Sequence, residues 1–403
     1  MSKPRRAYAT AWRSKMQGKW EIVNYTQPAP ERASDPQPIP EIDKLFRAAI
    51  RLKGSDLHLR ADSVPIVRIR GTLRSLNYPS LSDDDMARLC MPLLDERNKR
   101  IFTENGGADF AYTVECDGVR RRFRVNLMRQ LGRLGIVARL VNDYIPDFAT
   151  LYLPPILQEL CKFDQGMILL AGVTGSGKST TIASMLNWVN QNYRKHILTL
   201  EDPIEFVFTP AKCLITQREV GVDVADFEIG MKHAVREDPD VMLVGEMRDR
   251  ETFATAIHAS ETGHLVFGTI HASSTATTIG RILDLFPADM HRSLRSAIAF
   301  NMKGIIAQKL LPSTQESVGR VPAVEILTFS PMVRKLIVEE NDTLIPDVIR
   351  MSVNEGMQDF TMSLKSLVDE RLISESIALE VAPNPETLKM ALKGITVTQP
   401  GIL

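Results

Sequence analysis

Residues 172–179 read Gly-Val-Thr-Gly-Ser-Gly-Lys-Ser and fit the phosphate-binding pattern G-x-x-x-x-G-K-[ST]. Glycines in such a loop let backbone N–H groups curl around an anion, and a helix beginning at its end adds a partial positive charge. Lys178 would reach the β- and γ-phosphates of a nucleotide, and the Ser179 hydroxyl would ligate Mg²⁺. Gly172, Val173, Thr174, Gly175, Ser176, Gly177, Lys178, Ser179 and Thr180 are therefore the candidate binding residues, with ATP and Mg²⁺ as the implied ligands.

Further chemistry-bearing residues follow downstream. Residues 196–206 form a short apolar run that ends in Glu201, Asp202 and Glu205. Acids at the carboxyl end of a strand in an open α/β sheet can face a bound phosphate and orient a water; the alternative is a solvated acidic turn broken by Pro203. Residues 241–244, Val-Met-Leu-Val, form a second apolar run, with Glu246 placed to help hold Mg²⁺. Residues 265–270 are a third, bracketed by His264 and His271. The two histidines either sense a phosphate or are ordinary hydrogen-bonded side chains; they lie too far apart along a strand to share a metal readily. Arg120, Arg121, Arg122, Arg124, Arg129, Arg133 and Arg139 crowd an earlier segment. Three readings of that cluster stay open: a solvated face, a nucleic-acid patch with only Phe123 interleaved, or arginines that reach across a boundary to a γ-phosphate.

These residues need strands and helices to hold them. Met167 to Ala171 is an apolar run of buried-strand type just before the loop, and Ile182, Met185, Leu186 and Val189 recur at helical spacing just after it. From 156 to 330, strands and helices alternate, which predicts a mostly parallel sheet with crossover helices. The segment 41–145 reads as a smaller α/β unit. It holds a helical stripe of Ile42, Leu45, Phe46, Ala49 and Ile50, a helix capped by Ser82 with Asp85, and a hairpin around Asp117-Gly118. Prolines 146, 154 and 155 mark 146–155 as a linker; 331–384 is helical; 1–40 reads as a disordered, proline-punctuated tail and 385–403 as a loose one.

The 403-residue chain is 44% hydrophobic and 24% charged, with formal net charge +0, so no global attraction to nucleic acid or membrane is implied. Cys90, Cys116, Cys161 and Cys213 are widely spaced, without a C-x-x-C pair, which suggests reduced thiols rather than a zinc site or a disulfide framework. The basic start lacks the apolar region of a secretory signal, and no apolar run approaches the about 18 residues of a membrane span. Membrane association would have to run through partners.

Taken together, the phosphate loop, the acidic segment 198–206, Gln217-Arg218-Glu219-Val220, the segment 236–249 and the histidine segment 261–271 resemble the PilT-like motor ATPases of type IV pili, within the type II/type IV secretion ATPase superfamily. The resemblance spans roughly residues 42–380. It implies an α/β architecture: an N-terminal PAS-like domain followed by a RecA-like P-loop ATPase domain with a helical C-terminal region. It also implies a homo-hexamer. By position it makes Glu205 the catalytic glutamate and Glu246 the metal-securing acid. It matches His264 and His271 to the family's histidine box, and Arg124 and Arg139 to arginines that approach the γ-phosphate. The implied function is ATP hydrolysis coupled to pilus retraction and twitching motility. The implied place is the cytoplasm, peripheral at the inner membrane through a pilus platform protein, with a paralogous motor as a further partner and without nucleic acid or membrane insertion. Rival readings are an accessory nucleotide-binding subunit, a pilus-assembly or type II secretion ATPase, and a RecA-like nucleic-acid motor. Three features depart from the family: Val173 replaces its usual loop proline, the chain before residue 40 is long, and 333–340 matches its C-terminal retraction motif only loosely.

Overall fold

The structure is a computed structural model and describes residues 40–395; the expected tail before residue 40, with Trp12 and Trp20, and residues 396–403 lie outside the described residues. Two sheets organise the rest. The first contains β1 (Asp56–Arg60), β2 (Ile66–Ile69), β3 (Thr72–Ser75), β4 (Gly107–Cys116), β5 (Val119–Gln130) and β6 (Arg133–Leu140). Its order is β3-β2-β1-β6-β5-β4, with every pair antiparallel. The β4–β5 hairpin turns at Asp117-Gly118, whose φ values of 54° and 78° suit a tight two-residue turn that matches strand twist. Along β5, Phe123, Val125 and Leu127 are buried while Arg122, Arg124 and Asn126 point the other way, the period-two signature of a half-covered strand. Helix Asp43–Arg51 lays Phe46 edge-on against Phe123, ring centres 4.8 Å apart. Helix Asp83–Cys90 starts in the capping box of Ser82 and Asp85.

The second sheet contains β7 (Gly166–Ala171), β8 (His196–Glu201), β9 (Leu214–Glu219), β10 (Val241–Val244), β11 (Leu265–Ile270), β12 (Met302–Pro312) and β13 (Arg320–Thr328). The order is β13-β12-β7-β11-β10-β8-β9; all neighbours are parallel except β13 against β12. Every residue of β7, β10 and β11 is buried, as expected for parallel strands covered on both faces. Because β7, β8, β10 and β11 run the same way, the segments that leave their carboxyl ends emerge on one edge. Between the sheets, residues 146–155 form no helix or strand, yet Phe148 and Leu153 are buried in the second sheet's core.

Among the described residues, five α-helices follow β13: Pro331–Val338, Ile345–Met351, Phe360–Asp369, Glu375–Val381 and Pro385–Leu392. The last corrects the expectation of a loose end from residue 385. Asn384 caps it by accepting the Thr387 N–H at 3.0 Å, and Leu388 is fully buried. Pro385 reads as a breaker in sequence, but at the first helical position its missing N–H costs nothing and its fixed φ favours the helix. No helix among them is long and apolar enough to cross a membrane.

Candidate functional site

The segment 172–177 leaves β7 and turns into helix Lys178–Asn192. Two glycines make that turn possible. Gly172 sits at φ 154°, where a Cβ would lie 2.4 Å from Ser176 Oγ and 2.7 Å from the Gln308 carbonyl oxygen. Gly177 sits at φ 89°, where a Cβ would meet Gln308 Nε2 at 2.7 Å. Side chains are therefore excluded by backbone conformation and by space together. Gln308, buried in β12, braces the loop: its Nε2 donates to the Ser176 carbonyl at 2.8 Å and its Oε1 accepts from Thr181 Oγ1 at 2.9 Å.

Several features of the loop suit an anion. Gly177 brings no side-chain cap to the helix, so the first-turn N–H groups stay available. Ser176 Oγ is buried and has no hydrogen-bond partner among the described residues. Lys178 Nζ donates to the carbonyls of Gly172 at 2.8 Å and Val173 at 3.1 Å. Its pKa is lowered chiefly by burial, against the opposing charges of Glu246 and Glu205.

The acids converge on the same edge in a cleft of about 490 Å³ lined by the loop, Glu201, Glu205, Glu246, Arg248 and His271. Glu201 closes β8 and is almost wholly buried. Burial pushes its carboxyl up to about 7, despite hydrogen bonds from Thr199 Oγ1 at 2.7 Å and the Glu205 N–H at 3.4 Å. Glu205 is exposed in the cleft. Glu246 follows β10 in a turn pinned by Thr269, whose Oγ1 donates to the Gly245 carbonyl at 2.6 Å and whose carbonyl accepts the Met247 N–H at 3.0 Å. The Glu246 carboxylate lies 2.6 Å from Arg248 Nη2 and 3.0 Å from His271 Nε2. Burial works to raise its pKa, but the Arg248 hydrogen bond and the electrostatic influence of nearby Arg248, His271 and Lys178 outweigh it, and the carboxyl is held below its usual value.

The structure thus gathers residues 174–180 except Ser176 at the cleft wall, together with Glu205, Glu246 and His271. It does not bring His264 there. His264 precedes β11 while His271 follows it, so the two are roughly 20 Å apart along the strand. The His264 ring instead hydrogen-bonds the Ala259 carbonyl at 2.9 Å, closing the end of helix Arg250–Glu261. Arg124 and Arg139 are register partners on β5 and β6, and neither lines the cleft of its own chain. Arg139 is 71% exposed, its Nε 2.8 Å from Asp56 Oδ1. Each of the four cysteines is buried singly.

Sequence reasoning passed over Gln308, Arg248, Arg320 and Thr269. Arg248 and Arg320 line the cleft. The signal for Gln308 was a polar residue inside the apolar run of β12, which in a central strand needs a buried partner.

The fold and the site define a mixed α/β protein with a glycine-turned loop and an acid-lined cleft at the carboxyl edge of its parallel strands. The model of the type II/IV secretion system protein family matches residues 32–358. The type IV pilus retractation ATPase PilT of Pseudomonas aeruginosa is 40% identical over 346 residues, which cover 86% of this chain and 99% of that protein. The type IV pilus ATPase PilU of the same organism is 34% identical over 353 residues, covering 88% of this chain and 91% of that protein. A crystal structure of the pilus retraction motor PilT with bound ADP superposes with a TM-score of 0.79 at 41% identity, over 86% of this chain and 98% of that one. The chain belongs to the type II/IV secretion system protein family, in its PilT-like branch.

Proposed function

We propose that the chain is a ring-forming motor ATPase, a homo-hexamer that couples ATP hydrolysis to type IV pilus retraction at an inner-membrane platform protein, from the cytoplasmic side. The observation that carries this reading is the convergence of Lys178, Glu205 and Glu246 on one cleft, in a chain that aligns with nearly the whole of PilT. Residues 41–145 would be a PAS-like domain, 146–155 a linker and 156–330 the RecA-like P-loop ATPase domain, with 331–384 as its helical extension. Lys178 would exchange the Gly172 and Val173 carbonyls for phosphate oxygens. Glu205 would accept a proton from the attacking water. Ser179 and Glu246 would hold Mg²⁺, which when bound neutralises charge on the β- and γ-phosphates. A site of that kind needs one or two carboxylates rather than a full protein cage, and among the described residues there is no cluster of three metal-ligating side chains.

The rival readings fit less well. An accessory subunit would not need both Glu205 and Glu246 in the cleft. Against a nucleic-acid motor, Arg121, Arg122, Arg133 and Arg139 are each paired with an acid, so four of the seven arginines in the cluster already have a counter-charge. Against the assembly and secretion branch, the four cysteines form no zinc-binding set. Purified Glu205→Gln protein should bind ATP like the wild type and lose most turnover, because the amide keeps the shape but cannot take the proton. Wild-type hydrolysis rates in that variant would move the base elsewhere and remove the proposed mechanism.

A further inference from the structure

We infer that Arg122 is a positioning residue for Glu205: through Glu219 it ties the first sheet to the loop that carries the base. The inference rests on the proposed role of Glu205. Arg122 Nη2 lies 3.1 Å from Glu219 Oε2, with the two side chains only 24% and 8% exposed. A pair so far out of water is costly to break from one side, because the remaining charge is left without its counter-ion. The same Glu219 oxygen accepts the N–H of Ile204, the residue before Glu205, at 3.2 Å. Arginine and loop backbone therefore share one carboxylate oxygen.

The other side of Glu205 is tethered to the same sheet. Asn142, just past β6, bridges Phe206 and accepts the Val207 N–H at 2.9 Å. The Val141 N–H in turn donates to the Arg122 carbonyl at 2.9 Å, so Arg122 and Asn142 belong to one piece of ladder. On the second sheet, Gln217 completes the hold, donating to the Phe206 carbonyl at 2.8 Å and accepting the Phe208 N–H at 2.9 Å. The Glu205 side chain itself is exposed, so its place in the cleft follows its backbone. A rotation of the first sheet would reach that backbone through both tethers. Arg120 and Arg124, on the same strand, are exposed and make no such contact.

The test compares steady-state ATP hydrolysis and ADP binding across wild type, Arg122→Ala, Arg122→Lys, Arg120→Ala, Glu205→Gln and the Arg122→Ala/Glu205→Gln double variant of the full chain. Arg122→Ala should lower kcat roughly tenfold to a hundredfold, the scale of an ångström-sized misplacement. ADP affinity and the KM for ATP should stay within about twofold, because the phosphate loop is untouched. Arg122→Lys should recover part of the rate, Arg120→Ala should behave as wild type, and the residual rate of Glu205→Gln should not fall further when Arg122→Ala is added. A purely structural role for Arg122 would lower ADP affinity and kcat together, and additive losses in the double variant would equally overturn the inference. If Arg122→Ala does not fold, a wild-type kcat in Glu219→Gln, or an Arg122→Lys variant that loses ADP binding in step with kcat, would do so. An inactive Glu205→Gln beside a fully active Arg122→Ala would overturn the inference alone, whereas a fully active Glu205→Gln would remove the reading of Glu205 and the inference with it.

Discussion

Lys178 and Glu201 occupy the same cleft under opposite constraints. Lys178 is a charge waiting on loop carbonyls, not a core group, so Lys178→Ala should abolish turnover while leaving the melting temperature close to wild type. Parallel ATPase and thermal-melting measurements check both halves; hydrolysis near the wild-type rate would remove the site. Glu201 is an acid kept from water, and its carboxyl rises from an ordinary value of 4.5 to about 7 in the fold. Between those pH values the folded chain keeps a proton that the unfolded chain has released. Its contribution to stability is therefore full below about 4.5 and lost as pH rises through about 7. Glu201→Gln cannot titrate, so the difference in melting temperature between wild type and variant should drift across that window, with the wild type losing ground toward higher pH. A difference that stays constant with pH would show that Glu201 does not titrate there.

At the scale of elements, the phosphate loop depends on a strand outside its own motif. Gln308 satisfies a loop carbonyl and a buried hydroxyl of the first helical turn. Gln308→Leu would strand both, at about 1–3 kcal/mol for each unsatisfied group. The expected outcome is a lower melting temperature together with weaker ADP binding, read by calorimetry, and unchanged ADP affinity would mean that the loop holds its shape unaided. The difference in legibility between loop and brace is physical. The loop's requirements are local, fixed by conformation and hydrogen-bonding geometry, so residues 172–179 announce themselves. A brace is defined by which strand lies next to β7, and β12 arrives there more than a hundred residues later in the chain. The same contrast explains the helices and strands. The strands β10 and β11 are legible as uniform apolar runs, whereas the helix at Pro385 is hidden because proline breaks or begins a helix according to position. His264 and His271 look equivalent on paper, but opposite ends of a strand belong to opposite edges of the sheet, and only His271 reaches the cleft.

For the whole molecule, Arg124 and Arg139 bear on how a ring would work. Both are exposed on the first sheet, and neither lines the cleft of its own chain. If they complete the nucleotide site of another copy, two differently defective chains can each supply what the other lacks. Chains carrying Lys178→Ala keep their arginines, and chains carrying Arg124→Ala and Arg139→Ala keep their loop. Mixing the two inactive proteins should restore ATP hydrolysis above that of either alone, since some interfaces then pair an intact loop with intact arginines. A mixture no more active than its components would mean that these arginines do not serve a neighbour's nucleotide.

Whether hydrolysis in this cleft drives pilus retraction is read out in the cell that carries the gene. The chromosomal copy is replaced by the Glu205→Gln allele, and surface pilus length and twitching are measured by microscopy against the unaltered strain. A retraction motor should give normal levels of the protein, long pili that persist on the surface, and no twitching, because assembly proceeds while withdrawal stops. Loss of surface pili would assign the chain to assembly instead, and unchanged pilus length with normal twitching would contradict the claim that this motor powers retraction.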